Sequence, residues 1–181
     1  MKILLIFSIQ TQLNVMKMSI FLIPIKMENL YLHQKYLCQT MKPWLSKSAQ
    51  QFRKQVDDCY PDRDRKSDGW VASLAHLSRA AKSDHNPDVK TGCVRAIDIT
   101  ARLSDDKRIP EYLADQVRLY GKSKGRISYV IFNGRIASPV LGWRWRKYKG
   151  ASKHTHHIHI SFKKDQDNNS AEFEIPLLKG N

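Results

Sequence analysis

Residues 153–162 read Lys-His-Thr-His-His-Ile-His-Ile-Ser-Phe, with His154, His156, His157 and His159 crowded together. From His157 onward polar and apolar side chains alternate. A β-strand sends successive side chains to opposite faces, so His157, His159 and Ser161 share one face while Ile158 and Ile160 point into a core. Two imidazoles fixed side by side on a rigid strand are half of a metal site. The other half must come from elsewhere in the chain. Ser83-Asp84-His85 and Ala96-Ile97-Asp98 are the stretches that supply it.

Outward from that strand, the pattern predicts an α+β domain. Apolar residues recur at helical spacing over 45–56, with a serine near the start as cap, and again over 70–82 and 110–120. Gly121 and Gly125 end the last of these. Strands are expected at 94–100 and 127–132, and Asn133-Gly134 is a hairpin turn leading into Arg135-Ile136-Ala137. Helices first and strands later point to one small antiparallel-rich sheet flanked by helices. No repeat or low-complexity segment is present.

The chain has 181 residues, 41% of them hydrophobic and 27% charged, and a formal net charge of +14. That length fits one domain, and the charge implies attraction to an anionic partner such as nucleic acid or an acidic cell envelope. A solvated basic surface carries the same charge. Cys38, Cys59 and Cys93 have no Cys-x-x-Cys spacing, which argues against a disulfide framework. Residues 1–40 differ from the rest: two apolar runs, each shorter than the roughly 18–20 residues that span a bilayer, and no cleavage site for a signal peptide. They are expected to be an extension upstream of a true start near Met41, with weak membrane anchoring as the other reading. The extension holds four lysines and one glutamate, so the domain keeps +11 of the +14.

Hydrolytic zinc commonly takes three protein ligands from His and Asp or Glu and leaves the fourth position to water. His85, Asp98 and His159 form such a set. Asp98 interrupts the apolar run Ala96-Ile97-Asp98-Ile99, where a carboxylate is costly unless paired or bound to metal. A salt bridge to an arginine is the alternative account of it.

Ser83-Asp84-His85, Ala96-Ile97-Asp98 and His157-Ile158-His159 resemble the Ser-x-His, Ala-x-Asp and His-x-His signatures of the zinc D-alanyl-D-alanine carboxypeptidase and L-alanyl-D-glutamate endopeptidase family. That family shares its fold with the Hedgehog signalling domain and includes phage endolysins. The resemblance covers about residues 41–163 and leaves 164–181 as a tail. It implies a monomeric zinc peptidase, made in a bacterial host and acting on peptidoglycan at the cell wall. It further implies His85, Asp98 and His159 as zinc ligands, His157 as a contact to substrate or oxyanion, and Arg63 or Arg65 as the clamp on a substrate carboxylate. The chain departs from the family in two places. The twelve residues between His85 and Asp98 exceed the family's spacing, with Val94 in place of a glycine. Where the family has a general-base carboxylate, three residues before the last ligand, this chain has His156. Strand alternation points His156 away from His159, so His154 and Asp84 are the other candidates for the base.

Two other readings compete. A two-histidine phosphoesterase would use His159-Ile160-Ser161-Phe162 and His76-Leu77-Ser78. A non-catalytic binder of cell wall or nucleic acid would use the interleaved Trp143-Arg144-Trp145-Arg146-Lys147-Tyr148-Lys149. Nucleic acid is the less favoured partner, because tryptophans at that spacing also fit a strand whose aromatics face the core.

Overall fold

A computed structural model describes residues 42–72 and 83–179. The extension over 1–40, Met41, most of the helix expected at 70–82, and His76 lie outside the described residues. Among these residues the chain forms two α-helices, a two-stranded parallel sheet and a five-stranded sheet.

The parallel pair is β1 (Trp44–Leu45) with β2 (Cys93–Val94). Helix α1 (Lys47–Cys59) follows, capped by the Ser46 hydroxyl, which accepts from the Ala49 amide at 3.3 Å. Its start is set by that cap, because Leu45 is spent on the strand. The strand expected at 94–100 is interrupted at Arg95, giving β2 and then β3 (Ala96–Thr100). Helix α2 (Ile109–Lys124) carries Pro110 in its first turn, runs through Gly121 and ends at Gly125, which takes the left-handed φ of 70°. Gly121 is needed for space: a Cβ there would lie 2.3 Å from the Trp143 ring.

Strands β4 (Ile127–Phe132), β5 (Arg135–Ala137), β6 (Arg146–Lys147) and β7 (His157–Phe162) complete the larger sheet. Its order is β3-β7-β4-β5-β6, antiparallel throughout. One face buries Ile97 and Ile99, Ile158, Ile160 and Phe162, and Val130 and Phe132, together with Phe52 and Val56 of α1 and Leu113 and Val117 of α2. The period of two then leaves Asp98, His157, His159, Ser161, Tyr129 and Ile131 for the opposite face. The core thereby sets up the site.

Residues 164–179 are not a tail. Phe173, Ile175 and Leu178 are buried, and Phe173 packs against Phe52, Tyr120 and Phe162 with ring centroids 5.3–5.8 Å apart. The Arg126 guanidinium covers the Phe173 ring at 3.9 Å. The Gln55 amide bonds the Phe173 backbone on both sides, accepting from its N–H at 2.8 Å and donating to its carbonyl at 3.1 Å. The segment therefore belongs to the domain. Among the described residues no helix is long and apolar enough to cross a membrane.

Trp143 is buried over Gly121, and Trp145 packs on the core with its Nε1–H donating to Asp115 at 2.8 Å. Neither ring is presented as a stacking platform.

Candidate metal centre

Asp98 on β3 and His159 on β7 are direct cross-strand partners, so backbone pairing alone brings their side chains together. Beyond its strand, Asp98 exchanges backbone hydrogen bonds with Gly69 at 2.7 and 3.2 Å. That bridge fixes the adjacent Trp70 carbonyl, to which His85 Nδ1–H donates at 2.9 Å. One short segment thus holds two of the three groups.

The long stretch between His85 and Asp98 is tied down at several points. Asp88 N–H bonds the Cys93 carbonyl at 2.8 Å, and Arg95 N–H bonds the Asp84 carbonyl at 3.1 Å. The Arg95 guanidinium bridges Asp88 at 2.9 Å and Asp167 at 2.7 Å. The extra length folds into its own turn, and His85 is delivered to the sheet face regardless.

The three predicted ligand atoms converge. His85 Nε2 lies 3.2 Å from Asp98 Oδ1 and 3.1 Å from His159 Nδ1, and His159 Nδ1 lies 3.0 Å from Asp98 Oδ1. Ligands about 2.0–2.1 Å from a tetrahedral zinc stand about 3.3 Å from one another. The triangle has that size, and the group can hold a metal ion. Because His85 Nδ1–H is spent on the Trp70 carbonyl, its neutral ring turns the Nε2 lone pair toward the triangle, as ligating histidines do. His159 Nε2 is buried without a hydrogen-bond partner. That nitrogen points away from the triangle, so a metal held at Nδ1 would leave it unpartnered.

The electrostatics agree. Burial would raise the Asp98 pKa, but hydrogen bonds from His159 and His85 outweigh it and hold the carboxyl well below its ordinary range. Burial lowers His85 too, yet Asp98 overrides it and lifts the imidazole above its usual value. His159 is more deeply buried and is pushed down. Two imidazole nitrogens facing each other beside one carboxylate share a single positive charge. A metal cation bound between the neutral rings would supply that charge in place of the proton.

Around the triangle, His157 Nε2 stands 3.7 Å from Asp98 Oδ1, on the expected face. His154 takes a left-handed φ of 51°, and its ring packs edge-on against His157 and His159 with centroids 4.9 and 5.5 Å away. Its Nδ1 bonds the Ser152 carbonyl at 3.0 Å, and burial beside the other two imidazoles lowers its pKa to about 4. His156 does not join them. It is exposed, and its backbone carbonyl accepts from Ala101 N–H at 2.9 Å. The expectation of His156 as base is corrected: alternation turns it away, and the backbone turn at His154 brings that ring in. The Asp84 carboxylate accepts from the Ser161 hydroxyl on the same sheet face.

Arg63 is corrected as well. Its side chain is 0% exposed and bonds Asp57 at 2.9 Å and both oxygens of Asp68 at 2.9 and 2.5 Å. Asp68 in turn accepts from the Thr100 amide at 2.9 Å, so this guanidinium braces β3 and has no room for a substrate carboxylate. Arg65 remains half-exposed and donates to Asp57 at 3.0 Å and to the Pro61 and Arg63 carbonyls.

Tyr129 was not singled out by sequence. It stacks on His159, with centroids 5.3 Å apart and planes 14° apart, and burial together with Asp84 drives its hydroxyl pKa upward. The signal for it is the one tyrosine on β4, at a position that alternates with the buried Val130. No family model, curated protein or solved structure matches this chain.

Proposed function

We propose that this chain is a zinc-dependent peptidase of the Hedgehog and D-alanyl-D-alanine peptidase fold, cleaving a peptide bond in peptidoglycan stem peptides, in the manner of a phage lytic enzyme. The reading is carried by one observation: three ligand atoms from distant segments meet within 3.0–3.2 Å on one sheet face. The Ser-x-His, Ala-x-Asp and His-x-His resemblance supports it independently.

His85, Asp98 and His159 would hold the ion. A bound zinc supplies Lewis-acid polarisation and acidifies water near neutral pH. The chain's own residues do the rest. Asp98 fixes the ligand geometry through its two imidazole contacts. His154 keeps Nδ1–H on the Ser152 carbonyl, which leaves Nε2 to accept a proton beside the centre. His157 sits at the rim and donates to developing negative charge. The basic domain draws the protein toward an anionic envelope.

The test is mass spectrometry of muropeptides incubated with the zinc-loaded protein, with and without a chelator. Shortened stem peptides that vanish on chelation are expected. Unchanged muropeptides with the loaded protein would overturn the peptidase reading.

A further inference from the structure

The connection between β5 and β6, residues 138–145, lies at the opposite end of β5 from the Asn133-Gly134 turn, whose Asn133 amide bonds the His154 carbonyl. It projects two apolar side chains into solvent: Val140 is 63% exposed and Leu141 57%. Leu141 also holds a left-handed φ of 61°. A bulky side chain in that region is strained and needs compensation from its surroundings. Trp143 takes a φ of 65° in the same loop and is compensated, because its indole is buried over Gly121. Leu141 has no such burial. Asn or Gly would occupy the position more easily, so folding does not explain leucine there.

The loop is firmly mounted. Gly142 N–H bonds the Pro139 carbonyl and Trp143 N–H bonds the Ser138 carbonyl, both at 2.9 Å. The Arg118 guanidinium of α2 donates to the Trp143 carbonyl at 3.2 Å. Two further guanidiniums stand beside the apolar pair. Arg144 reaches the Leu141 carbonyl at 3.4 Å, and Arg146 reaches the Ser138 hydroxyl at 3.0 Å. Each keeps most of its five N–H donors free for another acceptor.

We propose that this loop docks the protein on an anionic lipid bilayer, seating Val140 and Leu141 at the headgroup–acyl boundary with Arg144 and Arg146 on lipid phosphates. Two side chains are too small a patch for a stable protein interface, which buries about 800 Å² per partner. A bilayer accepts a narrow apolar tip, and a chain of +14 is complementary to its surface charge. The inference does not rest on the metal centre.

The experiment compares the full chain with its Val140→Ser/Leu141→Asn variant in co-sedimentation with phosphatidylglycerol-containing vesicles and with pure phosphatidylcholine vesicles. Amide exchange is followed in parallel. The parent should prefer the anionic vesicles, and exchange over 138–145 should slow when they are added. The variant should bind about tenfold more weakly, while its thermal midpoint rises by about 2–4 °C as Asn relieves the strained φ. The rise separates lost docking from misfolding. Equal binding by the variant, equal binding of the parent to neutral vesicles, or slowed exchange confined to other segments would overturn the proposal. So would binding to neither vesicle, which would leave the tip to a protein partner.

Discussion

At the scale of the residue, Asp98 is the group on which the centre turns, since both imidazole ligand atoms lie within 3.2 Å of the same oxygen. His159→Ala removes one vertex of the triangle and should abolish zinc binding, read by calorimetry, together with any zinc-dependent rise in thermal midpoint. For the parent, zinc at a hundred times its dissociation constant should add about 2.7 kcal/mol of stability. A chelator should remove it. The neighbouring histidines separate cleanly. His154→Ala should retain zinc and lower kcat about 10²–10⁴-fold through loss of a proton acceptor. His156→Ala, at an exposed position, should leave both kcat and zinc affinity near the parent's. Loss of activity in His156→Ala with full activity in His154→Ala would reverse the assignment.

At the scale of the element, the strand pattern was legible in sequence because period-two alternation needs only neighbours in the chain. The pairing of β3 with β7 was not, so Asp98 and His159 could be suspected as co-ligands but not recognised as cross-strand partners. Nor does any local signal show that Arg63 would be consumed by Asp57 and Asp68, or that a left-handed His154 would fold back into the site. The turn carrying His85 yields a pH prediction. Burial opposes ionisation of Asp88, but Arg95 and the Lys90 amide outweigh it, so its folded pKa lies well below the ordinary carboxylate value. A depressed carboxyl stabilises the fold above its unfolded pKa of about 3.9 and loses that contribution as pH falls through the folded value. Asp88→Asn keeps an oxygen for the Lys90 amide but breaks the ion pair. It should cost about 1–3 kcal/mol at pH 7, and the gap to the parent should narrow steadily below about pH 4. Urea unfolding across that range measures it; a gap independent of pH would contradict the ion-pair account.

At the scale of the whole molecule, residues 164–179 show what a motif-based boundary misses. The resemblance ends near residue 163, and no long periodic run marks Phe173, Ile175 and Leu178 as core, because the first two sit in an irregular stretch outside any strand or helix and the third in a 3₁₀ turn. Their burial joins α1, α2 and β7 through the aromatic cluster of Phe52, Tyr120, Phe162 and Phe173. Truncating a buried phenylalanine costs about 3–5 kcal/mol, while a domain has about 5–15 kcal/mol in total. Phe173→Ala should therefore remove about a fifth of the stability or more, and the variant is expected still to fold at low temperature. Deleting residues 164–181 removes all three apolar side chains, leaves the Gln55 amide without its backbone partners and takes Asp167 from Arg95. That last loss reaches the turn that presents His85. The truncated chain should show no cooperative thermal transition by circular dichroism and no zinc binding. Phe173→Ala should bind zinc with near-parent affinity at low temperature. A truncated chain that unfolded cooperatively near the parent's midpoint would return the segment to the status of a tail.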